Sequence, residues 1–490
     1  MNQDNFQVCI ESFKKFVNKV FSGDNPNQKA ILLKECQNVV KVGQESKNFS
    51  IEAVDFIPDE VTNKAELPNE IWLKIIGFLE TKDVFSNFAL VCKSFNSLTL
   101  QPTAIKRFSI DFKNIDKDNW PKLFTLLNNY KTMTELSMKE VCFSNVITWI
   151  PKVLRSNPCL KSLKFLDHSK WNCTCAYRID EFIQCIKTHR NDLENLELDT
   201  IDYGSEAVKD ICTLKNLRSL KISKHSGSLN SKLDFIIDLA TNCEYLDSIA
   251  FNSMNCYSTD INRIRTAWNH FLGQRSKTLK SIDINVSLKP HPSQQYYEPP
   301  ASLANLKLCK NLENVTLEVD DQDITMLLNL PKVKKLVLKR THYADTLLLC
   351  FQSMDLSNLR YLSISFIIND NGFQMNESTF LTELSTIEFP VLERLYYNPI
   401  NLSNSMDQKV CTSLIENAPK LKAIQFGRNG RYNLTNRFLF DIFKHSNVCV
   451  FFEDSLRQLE LENYFRNSRT LHYEKYQEMK LDFMHWFQGY

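Results

Sequence analysis

From about residue 105 the chain repeats one short arrangement of apolar and polar positions, L-x-x-L-x-L, with Ile, Val, Met or Phe standing in for Leu. It reads IKRFSI from Ile105, MTELSM from Met133, LKSLKF from Leu160, LENLEL from Leu193, LRSLKI from Leu217 and LDSIAF from Leu246. LKSIDI from Leu279, LENVTL from Leu312, VKKLVL from Val333, LRYLSI from Leu359, LERLYY from Leu392 and LKAIQF from Leu421 continue the series, and a degraded VCVFF follows at Val448. In each unit the last two apolar positions are two apart, so on a strand both point to one face and the residue between them to the other. The spacers have helical spacing instead: Ile179, Phe182, Ile183 and Ile186; Leu233, Ile236, Ile237 and Ala240; and Thr346, Leu348 and Leu349 around DTLLLCF.

Successive units start 21 to 33 residues apart, a period that marks stacked repeats. One strand and one helix cannot enclose a core, so neighbours must stack, with the strands in a parallel concave sheet and the helices outside. The expected class is therefore α/β, a solenoid over residues 105–452 with about twelve repeats. The pattern resembles the leucine-rich-repeat family in its longer, helix-bearing form. Residues 453–490, through Met479, Phe483, Trp486 and Phe487, read as a capping segment for the last repeat.

Ahead of the repeats lies LPNEIWLKIIGFLETKDVFSNFALVCKSFNSL, Leu67 to Leu98. Pro68 suits the first turn of a helix and Asp83 the N-cap of a second. Ile71, Ile75 and Phe78 form one apolar stripe, and Trp72, Ile76 and Leu79 form a neighbouring one. So wide a face exceeds what a module of this size buries alone, which implies a partner. The segment resembles an F-box, a small all-α module placed at 66–104, with Phe95 where Trp is commoner. The resemblance implies packing against a Skp-family adaptor, and through it a cullin-RING ligase of the SCF type, by way of Leu67, Pro68, Ile71, Ile75, Leu79, Leu90, Val91 and Phe95. An F-box followed by leucine-rich repeats resembles the class of substrate receptors in such ligases. That implies a non-catalytic subunit whose repeats hold a protein for ubiquitination and proteasomal degradation; the alternative is a repeat scaffold acting outside any ligase. Phe6, Ile10, Phe13, Val17 and Val20 place amphipathic helices at 1–43, and residues 44–65 read as a linker.

Composition narrows the chemistry. Lys and Arg number 59 against 57 Asp and Glu in 490 residues, for a net charge of +2, so there is no basic footprint for nucleic acid and no polybasic block for a membrane surface. With 10 glycines, the chain holds neither GxGxxG, nor GxxxxGK[ST], nor GxSxG, which removes dinucleotide, P-loop and hydrolase-elbow readings. No metal or other cofactor is expected: Cys173 and Cys175 make a lone CxC, CxxC pairs are missing, and Cys159 and Cys185 read as buried repeat cysteines. MNQDNFQVCIESFKK has no signal-peptide apolar core, and no run of about 18 apolar residues follows. A cytoplasmic or nuclear location is the expectation. Outward strand positions form the natural substrate surface. Asn195, Glu197 and Asp199 make an acidic row there. Lys335, Lys339, Tyr361, Arg394 and Tyr396 combine cations with aromatics, the types enriched at binding hot spots, and SLKPHPSQQYYEPPAS, Ser287 to Ser302, reads as a projecting loop.

Overall fold

The computed structural model describes residues 106–480 apart from short excluded stretches, the longest being 167–178, 290–302 and 367–376. The segments read as an F-box at 66–104 and as amphipathic helices at 1–43 lie outside the described residues. The described chain divides into two compact units, one built mainly from residues 106–164 and the other from 165–480.

In the first unit β1 (Arg107–Asp111) pairs with β2 (Glu135–Lys139), parallel and without a register shift, and β3 (Ser162–Leu166) begins within it. The second unit runs through β4 (Asn195–Asp202), β5 (Ser219–Ser226), β6 (Ser248–Phe251), β7 (Ser281–Ile284) and β8 (Asn314–Glu318). It continues through β9 (Lys335–Thr341), β10 (Tyr361–Phe366), β11 (Arg394–Asn398), β12 (Ala423–Phe426) and β13 (Cys449–Phe452). Each of these strands pairs in parallel with the next in chain order. A single irregularity between Leu338 and Thr341 shifts the register of β9 on β10. Helices return the chain from strand to strand, among them Leu229–Asn242, Ser258–Arg275, Ala344–Ser353 and Asn436–Ser446.

Most strands start two residues after the first apolar position of their motif, so the motif's second and third apolar positions fall on one face. Leu220 and Ile222, Ile249 and Phe251, and Leu336 and Leu338 are all at most 1% exposed. Each such side chain contributes on the order of 1.5–3 kcal/mol when fully buried, and stacking repeats them down the whole unit. The first apolar position is also buried, and a tight turn sets it. The amides of Leu217, Leu246, Leu312 and Leu359 donate to the carbonyl three residues back at 3.1 to 3.2 Å. The degraded motif at Val448 gives a full strand, with Cys449, Val450, Phe451 and Phe452 opposite Ala423, Ile424, Gln425 and Phe426.

A second repeated device lies just before each strand. The carbonyl of one residue accepts two amides from the following repeat: Asp247 takes Lys280 and Ser281 at 2.7 and 2.9 Å, and Glu313 takes Lys334 and Lys335 at 2.8 and 3.0 Å. The side chains at this position are Glu194, Arg218, Asp247, Lys280, Glu313, Lys334, Arg360, Glu393 and Lys422, nearly alternating in sign. Asp247 with Lys280, Glu313 with Lys334, and Glu393 with both Arg360 and Lys422 lie 2.7 to 3.6 Å apart. Such exposed pairs contribute roughly 0–1 kcal/mol each, but a slip of one repeat would bring like charges together.

Two sequence readings change. Cys159 is exposed and Cys185 half-buried; the buried thiols are Cys212, Cys243, Cys309, Cys350, Cys411 and Cys449. Cys159 follows Asn157 and Pro158 in the turn before β3, and it is Asn157 that fills the interior, fully buried and donating to the carbonyls of Val153 at 2.7 Å and Leu127 at 3.3 Å. Leu349 is 65% exposed and Ile237 42%, because Leu347, Leu348, Cys350 and Phe351 in one helix, and Phe235, Ile236, Leu239 and Ala240 in the other, take the inner face.

Among the described residues the helices hold a buried ion pair between Arg265 on the helix Ser258–Arg275 and a fully buried Asp323 on the helix Asp321–Leu327. Asp323 also accepts the Leu303 amide at 2.7 Å. At the other end of the unit Tyr476 closes the stack. Its hydroxyl donates to the Val450 carbonyl of β13 at 3.1 Å, and its ring packs on Phe465 and Phe451 with centroids 4.4 and 5.5 Å away.

Candidate functional site

The outward positions of the strands follow from the same alternation that buries the inward ones, and the parallel register lines them up in rows. The row at the strand start reads Asn195, Ser219, Ser248, Ser281, Asn314, Lys335, Tyr361, Arg394, Ala423 and Cys449. The next outward row reads Glu197, Lys221, Ala250, Asp283, Thr316, Val337, Ser363, Tyr396, Gln425 and Phe451. From β4 to β8 these side chains are small or charged, and all but Thr316 are half-buried or exposed. From β9 to β13 they are bulkier, and all but Val337 and Arg394 are buried.

The predicted cation-aromatic patch therefore divides. Lys335, Tyr361 and Arg394 are successive members of one row, and the Lys335 ammonium sits 5.2 Å from the centre of the Tyr361 ring, within cation–π range. Tyr396 stands in the neighbouring row on β11, where its hydroxyl donates to Glu453 at 3.1 Å. Burial and that carboxylate push its phenol up. Lys339 turns the other way and reaches across β8 to Asp283, 3.3 Å away. Lys335 and Tyr361 are each 5% exposed and Tyr396 8%; Lys339 and Arg394 remain half-buried. The predicted acidic row is partly neutralised, since Lys221 on β5 pairs with Glu197 at 2.9 Å. Gly427 follows β12 at a point where a Cβ would run into the Asn398 side chain, so the absence of a side chain there has a packing cause.

Charge and burial compete at two of these positions. Burial pushes the Asp283 carboxyl up, while Lys339, Lys335 and Lys221 pull it down. Burial lowers the Lys335 ammonium from 10.5 to about 7; Asp283 works against that change and Lys339 adds to it. The sequence named Lys335 and Lys339 but not Asp283, which lies 52 residues before the nearer lysine and becomes visible only once the register of β7, β8 and β9 is known.

Among the described residues no three His, Cys, Asp or Glu side chains cluster as metal ligands, and no helix is long and apolar enough to cross a membrane. Burial pushes the Cys243, Cys309, Cys350 and Cys411 thiols up to about 12, which keeps them protonated. They are spectators to nucleophilic chemistry. Leu67, Pro68, Ile71, Ile75, Leu79, Leu90, Val91 and Phe95, which the F-box resemblance assigns to an adaptor contact, lie outside the described residues.

Residues 64–111 match the F-box-like family model, a span that takes in the predicted module and runs on through β1. No curated protein matches the chain. Among solved structures it is similar to the crystal structure of the TLR13–ssRNA13 complex, at 13% identity and a TM-score of 0.32. The match covers 71% of this chain and 50% of that one, so the chain spans half the length of the protein it matches.

Proposed function

We propose that the chain is the substrate-recognition subunit of an SCF-type cullin-RING ubiquitin ligase, acting in the cytoplasm or nucleus. In this reading the F-box docks a Skp-family adaptor and the concave face holds a protein destined for ubiquitination and degradation. The supporting observation is that one chain carries both the F-box-like match at 64–111 and a solenoid of parallel strands after it. A matched docking module gives one binding function, and a long sheet face with outward rows of varied side chains gives room for another. The chain's part is to bind and not to catalyse, so ubiquitin transfer belongs to the ligase it joins.

Leu67, Pro68, Ile71, Ile75, Leu79, Leu90, Val91 and Phe95 are assigned to the adaptor. Lys339 and Arg394 are assigned to the substrate, with Lys335, Tyr361 and Tyr396 as the floor beneath them. The test is to replace Pro68 and Ile71 by Glu and measure how much adaptor co-purifies with the full chain. A buried carboxylate in an apolar contact costs several kcal/mol, so capture falls at least a hundredfold; undiminished capture removes the ligase reading and leaves a repeat scaffold.

A further inference from the structure

We propose that Lys335, with Asp283, Lys339 and Tyr361, forms a pH-sensitive switch in the floor of the concave face, whose proton sets the charge that the face presents to whatever binds there. The geometry brings the group together from several strands. Lys335 opens β9 with its side chain enclosed and its ammonium 5.2 Å from the Tyr361 ring on β10. Lys339, on the same strand, holds Asp283 of β7 at 3.3 Å. Charged groups around the cluster include Lys221 on β5, which is paired with Glu197 and acts on Asp283, and Arg394, next to Tyr361 in register on β11; Glu318 is the register partner of Lys339 on β8.

An ammonium removed from water is costly unless a carboxylate compensates it. Here Lys335, Lys339 and Lys221 all act on one Asp283, and Lys339 is in ion-pair contact with it at 3.3 Å. At Lys335 burial is the largest influence and lowers it to about 7, with Asp283 opposing the change and Lys339 adding to it. With Lys335 neutral, Lys339 and Asp283 cancel. With the proton on, the cluster holds one more positive charge and Asp283 has one more cation competing for it. By linkage, a ligand bringing negative charge to this face takes up a proton and binds tighter as pH falls, and one bringing positive charge does the opposite.

The sign for stability follows from the same shift. Between about 7 and 10.5 the unfolded chain holds a proton on Lys335 that the folded chain lacks, so folding becomes more favourable as pH rises through that window, and flattens outside it. The experiment is urea unfolding of the full chain across that range, wild type against Lys335→Met. The folded-to-unfolded ratio of wild type relative to the variant should grow by up to about tenfold per pH unit within the window; parallel profiles overturn the proposal. Two further variants test the cluster and not merely a desolvated lysine. Lys339→Met removes a repelling charge and moves the lower edge of the window up, whereas Asp283→Asn removes an attracting one and moves it down. Edges that stay put, or move together, overturn the assigned roles of Asp283 and Lys339. Neither adaptor nor substrate enters these measurements, so their outcome is independent of the receptor reading.

Discussion

The two halves of the outward sheet face, β4 to β8 and β9 to β13, share one backbone pattern and differ in what they do with it. On β4 to β8 the outward rows carry Ser219, Ser248, Ala250 and Ser281, too small to cover the strands, with charged Glu197, Lys221 and Asp283 among them. On β9 to β13 they carry Lys335, Tyr361, Tyr396, Gln425 and Phe451, each 8% exposed or less. The inward rows do not change between the halves: Leu196 and Leu198 at one end and Ile424 and Phe426 at the other are equally enclosed. A repeat thus specifies the fold through its inward positions, and its outward positions are free to build either an open polar floor or a second packed layer.

If the second half is a packed layer, its side chains should behave as core. The largest effect is expected at Phe451, 5% exposed and in ring contact with Tyr476 at the end of the stack. Phe451→Ala should cost about 3–5 kcal/mol, the range for truncating a buried aromatic, read as a lowered urea midpoint. A loss under 1 kcal/mol would mean that the aromatic rows are surface after all, and the contrast between the halves would collapse.

A smaller effect is expected at Tyr396. Tyr396→Phe keeps the ring and removes the hydroxyl with its bonds to Glu453 and Ser365, so stability should fall by about 1–2 kcal/mol, as for a hydrogen bond to a charged group. An unchanged midpoint would show that Glu453 is satisfied without the hydroxyl and that the ring alone holds the position.

The strands were legible because the inward positions obey a period that a single sequence displays. Even VCVFF at Val448, reduced as a motif, keeps enough of the alternation to enter the sheet in register. Partners that depend on register were not legible. Asp283 and Lys339 are 56 residues apart, and Arg265 and Asp323 are 58 apart, with nothing local to join them. The near-alternating charges from Glu194 to Lys422 were present in the sequence, but each falls between apolar positions that dominate the pattern, and their order has meaning only when repeats are stacked. Cys159 is exposed for a related reason. Cysteine is often buried in repeats, yet burial is decided by turn geometry, and in that turn Asn157 faces inward with hydrogen bonds that a thiol would not replace as well.

The open half should tolerate what the packed half does not, and its most demanding test is the pair with visible geometry. Glu197 and Lys221 meet at 2.9 Å, with side chains 18% and 32% exposed. A pair this wet gains little, because water competes for both charges and two long side chains lose freedom in holding one arrangement. Glu197→Ala should therefore cost no more than about 1 kcal/mol, and less in high salt. Lys221 also faces Asp283, so the lysine left behind by that substitution is not stranded. Ser248→Ala, between Ser219 and Ser281 in register, should change stability by less than about 0.5 kcal/mol, the usual range for surface positions. A cost of 2 kcal/mol or more at either position would mean that β4 to β8 are also covered in the folded protein, and that the face available to a partner lies elsewhere.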